Sequence, residues 1–228
     1  MVPKYKNIDL IFKDRSSAGE LLAENLTSYN LQNPLVVALP RGGIPVAKPI
    51  AKQLQANLDI IVAKKIGAPN NPELAVGAVT SHGDYVISSY TSGVFDQLTF
   101  QGEKKWDYLQ NQIVYLINDC KEREKRYKEI NFPDSSINNL YEGKSIILVD
   151  DGIATGMTAL AAIKSIKKQN PIHLILAIPV ISFEAFNEIT THINKIETLK
   201  IPREFVAVGI HYKNFNPVTD DEIKELLV

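Results

Sequence analysis

Residues 145–158 read Ser145-Ile146-Ile147-Leu148-Val149-Asp150-Asp151-Gly152-Ile153-Ala154-Thr155-Gly156-Met157-Thr158. An apolar run ends in two acids and passes directly into a small, hydroxyl-bearing turn punctuated by glycine. Ser145 to Val149 has the short branched-aliphatic make-up of a buried strand, bounded upstream by the turn residues Glu142-Gly143-Lys144. From Ala159 to Lys168 the spacing predicts a helix, with Leu160, Ala161, Ala162, Ile163 and Ile166 on an apolar stripe and Lys164, Lys167 and Lys168 on a wet face. The segment between is a strand-to-helix loop. In an open α/β sheet such loops gather at the carboxyl ends of the strands, where ligands bind.

The helix opens at Thr155-Gly156-Met157-Thr158, where several backbone N–H groups lack intrahelical partners and the positive end of the dipole faces the loop. Two hydroxyls and a glycine complete a place for a phosphate. Asp150 and Asp151 repel a phosphate set directly against them, so they need another part of the ligand: vicinal sugar hydroxyls, a divalent cation, or both. A ligand with a phosphate at one end and a diol in its middle is a ribose 5-phosphate. A plain acidic strand end followed by a Ser/Thr/Gly cap explains each residue singly but not the double acid with this spacing.

A second loop points to the same edge. Leu35 to Leu39 reads as a strand, Pro40-Arg41-Gly42-Gly43-Ile44-Pro45-Val46 follows it, and a helix through Ala51 and Leu54 comes next. Leu58 to Ala63 is then the second strand of a right-handed parallel unit. Two glycines let the backbone approach a ligand, and Arg41 brings a permanent cation able to grip phosphate with two hydrogen bonds. Taken alone, this loop reads equally as a plain turn with a surface arginine. Lys64-Lys65 at the end of the second strand lead into Ile66-Gly67-Ala68-Pro69-Asn70-Asn71-Pro72-Glu73 and read either as a solvated charge pair or as cations facing the same pocket.

The pattern Val149-Asp150-Asp151-x-x-x-Thr155-Gly156-x-Thr158 resembles the phosphoribosyl pyrophosphate loop of the type I phosphoribosyltransferases, and all its defining positions match. Arg41-Gly42-Gly43 resembles the pyrophosphate loop of that family, which commonly holds a cis peptide between non-proline residues; here it would fall near Arg41-Gly42. Together with Lys65-x-Gly-Ala-Pro-x-Asn-Pro-Glu73, Phe12-Lys13-Asp14-Arg15 and Phe205-Val-Ala-Val-Gly209, the chain is similar over nearly its whole length to a branch of functionally uncharacterised phosphoribosyltransferases. That branch more often carries arginine at position 64, which favours Lys65 of the two lysines.

The resemblance implies a donor, Mg²⁺-bound phosphoribosyl pyrophosphate, cleaved at its anomeric carbon, with a nucleobase-like acceptor replacing pyrophosphate. In that reading Asp150 and Asp151 hold the ribose hydroxyls, and Gly152, Ile153, Ala154, Thr155, Gly156, Met157 and Thr158 fix the 5-phosphate. Arg41, Gly42, Gly43, Lys64 and Lys65 take the pyrophosphate. Mg²⁺ is held mainly by the ligand rather than by a direct protein site. Enzymes of this superfamily that use 6-oxopurines typically place an aspartate three residues after the second acid, where this chain has Ala154. The general base and the acceptor therefore stay open. So does the alternative of a non-catalytic regulator that senses phosphoribosyl pyrophosphate.

The remaining sequence sets bounds. A chain of 228 residues suits a single domain, a doubly wound, mostly parallel α/β sheet with a helical insertion and a small C-terminal elaboration. The insertion spans 100–130, is rich in Lys, Glu, Gln and Arg, and reads as a lid supplying Lys104, Lys105, Arg123 or Arg126. It reads equally as the arm of a homodimer or as a solvated face. Residues 131–142 read as loop, Ile172 to Val180 as a strand, Phe183 to Ile189 as a short helix, Ile193 to Leu199 as a strand and Asp220 to Leu227 as a terminal helix. Pro202 to Pro217, with Phe205, His211, Tyr212 and Phe215, reads as a hood over an acceptor base or as edge packing.

A formal net charge of −1 offers no overall basic field for nucleic acid, and no stretch has the apolar length of a membrane span. With no apolar signal core at the start, the expected compartment is the cytoplasm. Cys120 reads as a structural thiol in a charged helical stretch. His82, His173, His192 and His211, scattered without ligand spacing, read as structural or surface residues.

Overall fold

In the computed structural model, residues 6–69, 71–88, 105–131 and 140–227 are described. In chain order they form α1 (Arg15–Leu26), β1 (Leu35–Ala38), α2 (Gly43–Leu54), β2 (Asn57–Ile60), β3 (Ala63–Ala68), β4 (Asn71–Thr80) and β5 (Tyr85–Ile87). They continue with α3 (Lys105–Asn131), β6 (Ser145–Val149), α4 (Met157–Lys167), β7 (His173–Val180), α5 (Phe183–Ile189), β8 (Lys195–Lys200), a 3-10 turn (Val208–His211) and α6 (Asp220–Leu227).

The main sheet has five strands in the order β2-β1-β6-β7-β8, all pairs parallel. It is the expected α/β sheet. β1 and β6 are buried at every position, as continuous aliphatic runs covered on both faces must be. On one face Val36, Ala38, Ile147 and Val149 meet Leu22 and Leu26 of α1 and Ile44 and Ile50 of α2. On the other, Val37, Ile146 and Leu148 meet Leu160, Ile163 and Ile166 of α4. Each such aliphatic side chain contributes roughly 1.5–3 kcal/mol through burial.

β1 and β6 run in register from Leu35 opposite Ile146 to Ala38 opposite Val149. The loops that follow them, 39–42 and 150–156, therefore leave the sheet side by side.

A second sheet differs from the expectation. β3, β4 and β5 form an antiparallel unit in that order, so Lys64 and Lys65 lie within a separate strand and not at the end of the second one, which stops at Ile60. Ile66, Gly67 and Ala68 also pair, with Gly77, Ala75 and Asn71, the ladder interrupted by register shifts between Ile66 and Gly67 and between Gly67 and Ala68. Such irregularities let Gly and Pro sit in an antiparallel pair.

The polar insertion is a helix of 27 residues over its described part, and Leu109, Cys120 and Tyr127 carry its buried face. Burial pushes the Cys120 thiol up to about 11. Residues 100–104 of the expected insertion and 132–139 of the expected loop lie outside the described residues. Among the described residues no helix is long and apolar enough to cross a membrane.

Beneath α3 lies a polar cluster. Lys128 Nζ is 3.2 Å from Asp59 Oδ1 and 3.0 Å from Glu124 Oε1, so one ammonium serves two acids. The buried Tyr141 hydroxyl donates to Asp59 Oδ2 at 3.3 Å, while the Val62 N–H at 3.2 Å and the Ser81 hydroxyl donate to Glu124 Oε2. The ring of His82 stacks on Tyr141 with centroids 5.9 Å apart. Burial lowers the affinity of Lys128 for its proton, but Asp59 and Glu124 outweigh it and leave its pKa raised.

Candidate active site

The loop after β6 is held from below. The Ile153 N–H donates to Val180 O at 2.9 Å, the Ser182 N–H to Ile153 O at 2.9 Å, and the Ser182 hydroxyl to Ala154 O at 2.6 Å. These bonds tie the turn to the end of β7 and leave its upper side free. Ala154 and Thr155 are exposed, and Thr158 is half-buried. Gly156 caps α4 at φ 77°, ψ −5°, a left-handed conformation that glycine adopts without strain, and makes no side-chain cap bond. The first amides of α4 therefore keep their donors for a ligand.

The glycines of the other loop meet the acids. A Cβ placed on Gly42 would lie 2.0 Å from Asp151 Oδ2, and one on Gly43 would lie 2.6 Å from Val149 O and 3.1 Å from Asp150 Cα. Only glycine fits between the two loops. The peptide bond between Pro40 and Arg41 is cis, one bond before the expected place.

Asp151 has a partner that sequence reasoning missed. Arg15 Nε donates to Asp151 Oδ2 at 2.8 Å, with side chains only 11% and 14% exposed. Arg15 stands in the first turn of α1 because Asp14 caps that helix: its carboxylate accepts from the Ser17 N–H at 2.8 Å, and the Ser17 hydroxyl accepts from the Asp14 N–H at 3.0 Å. Phe215 lies under the guanidinium, whose carbon is 3.8 Å from the ring centroid, and Arg15 Nη1 also donates to Asn216 O at 2.8 Å. The Tyr212 hydroxyl donates to Asp151 O at 2.5 Å. The 202–217 segment thus packs on the acid loop, with Tyr212 between Phe12 and Phe215 at centroid distances of 5.2 and 5.1 Å. The sole sequence signal for Arg15 was its place in Phe12-Lys13-Asp14-Arg15.

Electrostatically the acid pair is under-compensated. Burial, and then repulsion from Asp151, raises Asp150 well above the usual carboxylate range. Burial also raises Asp151, opposed by Arg15. Asp150 Oδ1 accepts the Asp151 N–H at 2.8 Å. Burial, followed by the nearby Asp151 charge, keeps the Tyr212 phenol protonated. His211 is buried with its Nε2 unpartnered, and burial and then Lys200 lower its pKa, so it stands neutral.

Other expected site residues are engaged elsewhere. Lys64 forms an ion pair with Asp119 of α3, and that bond holds the Asp119 carboxyl below its usual value. Lys65 is exposed. Arg41 Nη1 faces Asp220 at 3.9 Å, and with Arg123 and Arg126 it lines a cleft between the Arg41 loop, α3 and α6. Lys104 lies outside the described residues. The loops therefore bring together Gly42, Gly43 and Asp150 through Thr158, whereas Arg41 and Lys64 direct their charges toward α6 and α3.

Among the described residues no group of three or more His, Cys, Asp or Glu side chains is placed to hold a metal ion. Two adjacent carboxylates with raised pKa fit a divalent cation shared with the oxygens of a ligand.

A profile of the phosphoribosyl transferase domain matches residues 12–213. The chain belongs to this family. It is 33% identical over 217 residues to the Mycobacterium tuberculosis protein named "Putative phosphoribosyl transferase Rv0571c", covering 95% of this chain and 46% of that protein. The chain thus spans about half the length of this curated relative. An amidophosphoribosyltransferase of Staphylococcus aureus is 26% identical over 161 residues, covering 69% of this chain and 28% of its own. Among solved structures, the protein TT1426 from Thermus thermophilus superposes with a TM-score of 0.76 at 34% identity, over 96% of this chain and 98% of that one.

Proposed function

We propose that this chain binds phosphoribosyl pyrophosphate with Mg²⁺ and transfers its ribose 5-phosphate to a nucleobase-like acceptor, releasing pyrophosphate. The observation that carries the reading is the acid pair after β6, laid against Gly42 and Gly43 and followed by the uncapped start of α4. Family membership supports it.

The bond from the anomeric carbon to the pyrophosphate oxygen breaks, and a bond from that carbon to an acceptor nitrogen forms. The barrier is the separation of a cationic sugar from an anionic leaving group, so fixed charges on both sides lower it. Asp150 and Asp151 accept hydrogen bonds from the ribose hydroxyls and place negative charge beside the ring. Arg15 fixes the orientation of Asp151. The first amides of α4 and the hydroxyls of Thr155 and Thr158 bind the 5-phosphate. The Gly42-Gly43 backbone lies against the pyrophosphate, while the segment carrying Tyr212 and Phe215 excludes water from the acid loop. Asp150 and Asp151 would be the nearest protein partners of a Mg²⁺ held mainly by the donor, which when bound would supply positive charge to offset that on the leaving pyrophosphate.

Calorimetric titration with phosphoribosyl pyrophosphate and Mg²⁺, followed by a screen of bases for pyrophosphate release, tests this. Saturable binding with release for one class of base is expected. Absence of donor binding would refute the reading, and binding without release on a broad panel would replace the transferase with a sensor.

A further inference from the structure

Between the Arg41 loop, α3 and α6 lies a cleft of about 370 Å³ lined by Arg41, Arg123, Arg126, Tyr127, Asp220 and Lys224. Four of these six residues are cations and one is an acid, a formal balance of +3 in a chain whose total is −1. No residue of 150–158 lines it. The volume falls in the range of small-ligand sites.

The single acid behaves as a stand-in for a missing anion. Asp220 Oδ1 accepts from the Tyr127 hydroxyl at 2.9 Å and faces Arg41 Nη1 at 3.9 Å, a long contact between side chains 47% and 60% exposed. Lys224 spends its charge on Asp221 at 3.0 Å, also at the surface. Even with Asp221 on Lys224 and the Asp119 charge acting on Arg123 and Arg126, the lining itself holds more cations than acids, two of them guanidiniums one helical turn apart on α3. Such a surplus fits the several oxygens and two or more charges of a phosphate ester or diphosphate.

We infer that this cleft binds a second phosphate-bearing ligand, distinct from the ribose donor, and that Asp220 occupies the anion's place when the cleft is empty. Arg41 links the two sites. Its side chain enters the cleft, while the next residue, Gly42, lies against the Asp151 carboxylate. Occupancy of one site is therefore felt at the other, with reciprocal effects on affinity.

Inorganic pyrophosphate with excess Mg²⁺ serves as the probe, titrated by calorimetry into the protein alone and into protein saturated with phosphoribosyl pyrophosphate. Binding should persist in the saturated protein. It should weaken about tenfold or more in Arg123→Gln/Arg126→Gln, as expected for losing charge-assisted bonds. It should tighten severalfold in Asp220→Asn, where the internal competitor is gone.

In the protein alone, Asp150→Asn should leave this response to Arg123 and Arg126 intact, which separates failure of the cleft from failure of the donor site. Should the double variant not fold, Lys224→Gln on the exposed face of α6 carries the same test with a smaller loss. Loss of pyrophosphate binding on donor saturation would assign the cleft to the donor itself and overturn the inference. So would equal affinity in wild type and in the arginine or lysine variants.

Discussion

Asp59 with Glu124 and Asp150 with Asp151 are two acid pairs whose surroundings differ. Asp59 and Glu124 share the ammonium of Lys128, and the hydroxyls of Tyr141 and Ser81 and the Val62 N–H fill further lone pairs. Asp150 and Asp151 have the guanidinium of Arg15 bonded to one carboxyl only, and both acids keep raised pKa values. A pair that serves the fold is supplied with donors from several elements. The pair proposed to serve the donor is left short, and the ribose hydroxyls and the Mg²⁺ accompanying that ligand would supply the missing donors and positive charge.

The largest effect should come from breaking the satisfied pair. Lys128→Met leaves two buried carboxylates without their cation and should cost about 3–5 kcal/mol of stability, read from urea denaturation. A loss within about 1 kcal/mol, the worth of a surface ion pair, would erase the contrast.

Next, Asp150→Asn should weaken donor binding about 10- to 100-fold, the worth of hydrogen bonds to a charged group, while leaving the fold more stable at neutral pH. The sign follows from the raised carboxyl. Its contribution to stability is fully present below the unfolded value of 3.8 and is lost as pH rises through the higher folded value. The gain on substitution should thus vanish in melts below about pH 4 and grow above it, and a gain independent of pH would contradict the assignment.

Arg15→Gln removes the one cation and should raise Asp151 further. Donor affinity at neutral pH should fall about tenfold, with the pH dependence of binding displaced upward, as expected for loss of a charge-assisted bond. An unshifted pH profile would mean that Arg15 only packs on Phe215. The smallest effect should be that of Thr155→Val, which removes one exposed hydroxyl. Ribose 5-phosphate should bind about fivefold more weakly, with stability changed by less than about 0.5 kcal/mol.

The acid loop was legible because its signal is local. Strand, acids, glycine and helix start follow one another within 145–158, and β6 has the bounds its sequence predicts. α5 and α6 also match their expected ranges, each opened by polar residues and carried by an amphipathic repeat. The partner of Asp151 was not legible, since 136 residues separate it from Arg15 and nothing in Asp14-Arg15 beyond a helix cap marks it. The pairing of β3 was hidden for a different reason. Its pairing partner 71–80 begins with Asn71-Pro72 and follows a Gly-Pro stretch that reads as loop, and the register shifts that accommodate it belong to tertiary structure. Arg123 and Arg126 read from composition as lid or solvated charge; only the packing of α3 against α6 brings them to Arg41.

Cys120 has a practical consequence. It is the chain's one thiol, and with its pKa pushed to about 11 it carries almost no thiolate at neutral pH. Alkylating reagents should pass over it in the native protein, so a cysteine introduced at an exposed position can carry a fluorophore alone. The slow labelling of Cys120 itself then becomes a clock for how often the long helix lifts away from the body.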